Sequence, residues 1–179
     1  MTIEPIEIED LLACLRAGRK PRDHGPYQVM VGDHDLNYTT TIIDDPVPTG
    51  RQIIEGAGLR NAEDHLVFQV LRNGELEELR LEETADLRSG DVERFLVFPS
   101  AASFRFDIDG KRLEWGYKVI SGLVLKRLAG VDPTKFGIWQ VIPGQDDIPI
   151  GDTDLVCLAS DGLEHFFTGV PQTTEGGVV

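Results

Sequence analysis

The chain has 179 residues, 27% of them charged and 41% hydrophobic, a length that suits one mid-sized domain or two small ones. Asp and Glu number 31 against 17 Lys and Arg, a formal charge of -14. Such a field repels phosphate backbones and anionic lipid, which argues against nucleic acid and membrane surfaces and for a basic or amphipathic protein as partner.

Residues 1–25 form an N-terminal extension. It opens on Ile3, Ile6 and Ile8 among acidic residues. Leu11, Leu12 and Leu15 then share one helical face before Gly18 and the basic Arg16, Arg19, Lys20 and Arg22. A helix this short is marginal alone, so the stretch reads as a mobile extension. The alternatives are a docking helix or an arm folded back on the body. The N-terminus lacks the basic region and apolar core of a signal peptide, and the expected location is cytoplasmic.

Strands follow. Tyr27, Val29 and Val31 alternate with polar residues, Gly32-Asp33-His34-Asp35 turns the chain, and Leu36, Tyr38, Thr40 and Ile42 alternate again as a hairpin with one buried face. Thr49 stands three residues before Gln52, the capping-box spacing, and opens a helix with Ile53, Ile54 and Ala57 on its apolar stripe and Gly58 as its left-handed stop. Leu66–Leu71 is a strand, Asn73-Gly74 is expected as a type I′ turn into Leu76–Leu81, and Val92–Phe98 closes the block.

The order then begins again. Phe104, Phe106 and Ile108 lead to a tight turn at Asp109-Gly110, and Leu113, Trp115 and Tyr117 continue the hairpin. Ser121 caps a helix with Leu123, Val124, Leu125 and Leu128 that Gly130 closes, and Gly137–Ile142, Ile148–Ile150 and Gly162–Phe167 complete the set. Thr49-Gly50 matches Ser121-Gly122, Ala57-Gly58 matches Ala129-Gly130, Phe68-Gln69-Val70 matches Trp139-Gln140-Val141, and Val92-Glu93-Arg94-Phe95 matches Leu163-Glu164-His165-Phe166. All lie about 71 to 72 positions apart. The expectation is a duplicated ββαββ unit with the helix across one face of a small mixed sheet, the β-grasp arrangement in an α+β protein. The first copy is placed at 26–100, the second at 103–168, and a flexible tail at 169–179. Phe68 and Phe95 are assigned to the first core and Phe104, Trp139 and Phe166 to the second.

These residues resemble the bacterial multi-ubiquitin domain proteins over about 27–168, through the paired helices, the Phe/Trp-Gln-Val strand and the Val/Leu-Glu-x-Phe closing strand. The resemblance implies a non-enzymatic ubiquitin-like modifier. It also implies an adenylating activating enzyme, a conjugating enzyme and a zinc-dependent deubiquitinase-like peptidase as partners, and target proteins that in some such systems are phage structural proteins. ATP would be used by the activating enzyme and not bound by this chain, for which no cofactor and no metal is expected.

The tail has its own chemistry. Gly176-Gly177 lacks side chains and can thread narrow enzyme clefts, as adenylation and thioester transfer of a terminal carboxylate require. Val178 and Val179 follow the pair, so the Gly177 carboxylate exists only after a peptidase removes them. Thr173, Thr174 and Glu175 replace the Arg-rich approach of eukaryotic ubiquitin, which predicts poor reading by eukaryotic activating enzymes. The acceptors for chain formation are Lys20, Lys111, Lys118, Lys126 and Lys135; the first copy has no lysine. A binding scaffold whose tail is irrelevant, and a sulfur carrier ending in a thiocarboxylate, are the other two readings. His24, His34, His65 and His165 are scattered without metal-ligand spacing. Cys14 lies near Arg16, which would lower a thiol pKa, and Cys157 among Leu155, Val156 and Leu158 is expected as buried filler. The two cysteines are too few for a disulfide framework or a zinc motif, and the apolar runs fall short of the ~20 residues of a membrane span.

Overall fold

A computed structural model describes residues 3–158 and 162–172. The chain forms two compact units, one from the described residues of Met1–Phe104 and Glu114–Tyr117, the other from those of Arg105–Leu113 and Lys118–Val179.

The first unit runs β1 (Glu9–Asp10), α1 (Leu11–Arg16), β2 (Tyr27–Gly32), β3 (Tyr38–Ile43), α2 (Gly50–Gly56), a 3-10 turn at Ala62–Asp64, β4 (Leu66–Leu71), β5 (Leu76–Leu79) and β6 (Val92–Phe98). One sheet has the order β1-β2-β6-β4-β5, with β3 also on β2. The first and last strands of the repeat, β2 and β6, run parallel, as do β1 and β2, and the remaining pairs are antiparallel. The core lies between this sheet and α2: Val29, Val31, Val67, Phe95 and Val97 from the strands meet Ile53 and Ile54 from the helix.

The second unit is built on β7 (Phe104–Ile108) and β8 (Lys111–Trp115), apart from Phe104 and Glu114–Trp115, which group with the first, and on β9 (Val119–Ser121), α3 (Gly122–Ala129), β10 (Gly137–Gln140), β11 (Ile148–Ile150), β12 (Leu155–Cys157) and β13 (Glu164–Gly169). Its larger sheet has the order β11-β10-β13-β7-β8, again with first and last strands parallel, and β9 pairs with β12 separately. Phe106, Ile108, Val124, Leu125, Ile138 and Phe166 are buried, with Phe106 and Phe166 edge to face at 6.0 Å. Both units are β-grasp folds, and the protein is α+β.

The helix starts explain the period of 71 to 72 residues physically. Thr49 and Gln52 close a capping box, and Ser121 accepts from the Val124 N–H at 3.2 Å. The next two N–H groups of each helix find loop carbonyls: Gly50 and Arg51 donate to Glu83 and Leu81, Gly122 and Leu123 to Asp154 and Asp152. A Cβ on Gly50 would stand 2.6 Å from the Arg80 carbonyl oxygen, and one on Gly122 would overlap that of Gly151. The acceptors are shifted by 71 positions, from Glu83 to Asp154 and from Leu81 to Asp152, and the donors by 72. Four orphan donors at a helix start must be satisfied, and here a returning loop, rather than water, satisfies two of them in each unit. Glycine is the residue that lets the loop come so close.

Five expectations change. The N-terminal extension takes the form of an arm folded back: β1 pairs with Tyr27–Gln28, and Leu11 and Cys14 are buried. In β3 the buried face is Thr41 and Ile43, while Ile42 is 48% exposed. The register sets Tyr27, Val29 and Val31 opposite Ile43, Thr41 and Thr39, so core-facing residues of β2 demand the odd positions of β3, and a one-residue slip reverses the face. At Asn73-Gly74 only Gly74 has positive φ, 82°. The Gly74 N–H donates to Leu71 and the Leu71 N–H to Glu75, the three-residue hairpin with a glycine bulge rather than type I′. In the second unit Ile138, not Trp139, enters the core, while Phe68 is buried on the sheet face opposite α2, against Phe98 at 5.6 Å. Cys157 is exposed; Val156 takes the inward position of that strand.

Candidate functional site

The residues with the clearest chemistry in the sequence, Gly176 and Gly177 with Val178 and Val179, lie outside the described residues, and the site is approached from its root. β13 is the last strand of the second unit and pairs with both β10 and β7. Its end is pinned by Asp109, whose carboxylate accepts from the Thr168 N–H and Oγ1 at 2.8 Å each. Asp109 sits at φ 54° in the Asp109-Gly110 turn, so the turn foreseen from the sequence also clamps the strand that carries the tail. Past Gly169 the backbone leaves the sheet, and Val170 is 68% exposed, with Pro171 and Gln172 exposed as well. A proline two residues past the end of the pinned strand prevents the ladder from continuing.

The lysines divide by environment. Lys126, on α3, is buried, its ammonium 2.6 Å from Asp152 Oδ1 and 3.3 Å from the Pro133 carbonyl. Lys20, Lys118 and Lys135 are exposed, Lys135 with Asp132 at 3.9 Å, and Lys111 begins β8 with partial exposure.

Cys14 differs from its expected character. Its thiol donates to Glu9 Oε1 at 2.6 Å, and burial first, then that bond, pushes its pKa up to about 11. The Glu9 carboxylate is itself enclosed: Arg19 stands at 2.6 Å and Arg22 at 3.5 Å. The Cys14 bond is the main cause of a carboxyl held below its ordinary value; the arginines add to it against burial. Arg16, the neighbour in sequence, plays no part in this cluster. The cluster locks the arm, with Arg22 also donating to the Glu7 carbonyl and Tyr27 donating to that of Arg22.

The histidines are apart: His34 stacks on Tyr117 at 4.2 Å, His65 Nδ1 meets the Asn61 carbonyl, and His165 Nδ1 meets Asp107 at 2.6 Å. Among the described residues no group of His, Cys, Asp and Glu is arranged to hold a metal, and no helix is long and apolar enough to cross a membrane. A cleft of about 600 Å³ on the first unit is lined by Leu71 and Val92 with Arg72, Glu77 and Asp91.

The description "Multiubiquitin" belongs to the family model that matches this chain, at residues 34–100 and again at 104–170. The chain belongs to the multiubiquitin family. No curated protein matches it at significant similarity. The multiubiquitin match begins at His34, beyond β1, α1 and the whole of β2, so the arm locked by Glu9 and Cys14 stands outside the matched repeats.

Sequence reasoning missed the Glu9–Cys14–Arg19 cluster. Its only trace was the spacing Glu9, Asp10, Cys14, in which Asp10 caps α1 by accepting from the Ala13 N–H at 3.1 Å and so turns Glu9 and Cys14 toward the same interior.

Proposed function

We propose that this multiubiquitin protein is a cytoplasmic ubiquitin-like modifier, trimmed after Gly177 and joined through the Gly177 carboxylate to amines of target proteins. The observation that supports it is the strand-pinned root at Thr168–Gly169, from which Val170–Gln172 run exposed toward the Gly176-Gly177 pair.

In the reaction a processing peptidase hydrolyses the Gly177–Val178 bond. The freed carboxylate attacks the α-phosphorus of ATP on the activating enzyme and expels pyrophosphate. An enzyme thiolate then displaces AMP to form a thioester, which passes to the conjugating enzyme, and a target amine displaces that thiol to leave an amide. The chain's own contribution is positional: a rigid unit presents a narrow, side-chain-poor terminus. It is a substrate of these enzymes rather than a catalyst, and phage structural proteins are the proposed targets in a defensive role. Where the modifier is its own acceptor, Lys20, Lys111, Lys118 and Lys135 serve, and Lys126 does not, because its ammonium is already spent on Asp152 and Pro133.

With the activating and conjugating enzymes present and the peptidase absent, the chain ending at Gly177 is expected to form thioesters and high-mass conjugates. The chain ending at Val179 is expected to form neither, because branched Cβ atoms obstruct the terminal carbon. Conjugates joined through Val179 would remove the processing step. No thioester from either form, with enzymes active on another substrate, would favour a recognition scaffold.

A further inference from the structure

The outer sheet faces of the two units are built alike and finished differently. Phe68 and Leu96 are cross-strand partners in the first unit, and Trp139 and Phe167, each 71 positions on, are partners in the second. In the first unit this face is closed. Phe68 and Leu96 are fully buried, Phe98 stands edge-on to Phe68, and Trp115 stands edge-on to Phe98 at 4.8 Å with no exposed surface. The cover is Glu114–Tyr117, which groups with the first unit. Its Gly116 lies so close to the Phe98 ring that a Cβ there would overlap it, and Tyr117 stacks on His34.

In the second unit the same face has no such cover among the described residues: Trp139 and Phe167 are half-buried rather than enclosed. Gly137 and Gly169 are cross-strand partners, and the Trp139 indole lies across both: a Cβ would stand 2.7 Å from the ring at Gly137 and 3.3 Å at Gly169. The indole then stacks on Phe167 at 5.5 Å and 12°. Pro149 lies opposite Trp139 in the register and is exposed, so Pro149, Trp139 and Phe167 make one apolar row across three strands. Beside it Val141 is 37% exposed, and His165 is held by Asp107. Asp146 and Asp147 stand exposed in the adjoining β10–β11 loop, on a chain of net charge -14.

We propose that the Pro149–Trp139–Phe167 face is a docking surface for a partner protein's basic segment with an aromatic–glycine–aromatic core. The chain itself displays the chemistry that closes such a face: Trp115-Gly116-Tyr117, flanked in sequence by Lys111, Arg112 and Lys118. Aromatic rings cover the apolar row, glycine lets the two backbones approach, and the flanking cations answer Asp146 and Asp147. The acidic field of the whole chain disfavours a second copy of itself as the occupant. The surface is independent of the Gly177 chemistry, and failure of conjugation leaves it standing.

The test uses the full chain and a fluorescent peptide of sequence Lys-Arg-Leu-Glu-Trp-Gly-Tyr-Lys, followed by anisotropy. Two control peptides replace the aromatics by Ser, or the Lys and Arg by Glu. Saturable one-to-one binding of the first peptide alone is expected. Trp139→Ala should weaken it at least about tenfold, the usual effect of truncating an aromatic anchor. Val141→Lys, at an exposed position, should weaken it by repelling the cations, and it decides the matter if Trp139→Ala does not fold. Absence of saturable binding, or unchanged affinity in folded Val141→Lys and Trp139→Ala, would overturn the proposal. So would a concentration-dependent dimer in sedimentation that Trp139→Ala abolishes, because the occupant would then be a second copy.

Discussion

At the scale of single residues, the two cysteines exchange their expected roles, and labelling reads the exchange directly. Cys157 is exposed, whereas Cys14 is enclosed with its pKa pushed up to about 11. Thiolate is the reactive form, so alkylation of the native protein at pH 8 is expected to give one adduct, at Cys157, by mass spectrometry. The second should appear only in denaturant. Glu9 gives the same cluster a pH dependence. Its carboxyl is held below its ordinary value near 4.5, so the folded state binds fewer protons than the unfolded one. The resulting stability is present above that value and lost as pH falls through the folded pKa. The Cys14 contribution has the opposite sense, present below pH 9.0 and lost as pH rises through about 11. Glu9→Gln should flatten the acid limb of a melting-temperature profile and cost about 2 kcal/mol at neutral pH, the scale of a lost charge-assisted bond at a buried site. Gly116→Ala is expected to destabilise the first unit by more than about 2 kcal/mol, since its methyl group would overlap a Phe98 ring that is itself fully buried.

At the scale of elements, most of the fold was legible, and for local reasons. Thr49, Gln52, Ser121, Gly58 and Gly130 announce helix ends because each answers a demand of the backbone within a few residues. Gly58 and Gly130 have φ of 80° and 75°, the region glycine enters freely. The loop carbonyls that meet each helix start come from about thirty residues downstream, and no local pattern announces them. The faces of β3 and β10 were misassigned because alternation gives the period of a strand and not its phase. A large aromatic such as Trp139 naturally claims the core, until Gly137 and Gly169 are seen to seat it outside. The chemistry proposed for Gly176 and Gly177 rests on residue type alone, and the described residues reach only the root of the tail. Ser121→Ala is expected to lower the stability of the second unit by about 1 kcal/mol in thermal or urea melts. Gly122→Ala should cost more, because a Cβ there overlaps the Gly151 carbonyl.

At the scale of the whole molecule, the arm is part of the first unit. Leu11, on the arm's own helix, is 1% exposed, and Leu11→Ala should cost about 2–5 kcal/mol as a large-to-small change at a closed site. Removing residues 1–25 should lower the melting temperature of the first unit further, because β1 and the Glu9 cluster go too. Relative resistance to proteolysis of the full and shortened chains would measure it. A fragment ending at Ser103 would also lack Trp115 and expose Phe68, Leu96 and Phe98, and a hydrophobic dye should report that surface by its fluorescence. Gene duplication supplies two identical starting texts, and drift is then free wherever a side chain looks outward. At Gly50 and Gly122 it is not, because each faces the main chain of its own returning loop, which no substitution elsewhere can trim. The same backbone demand thus selects the same letter at one place in each copy, a common spelling that neither copy could revise without re-routing its own loop.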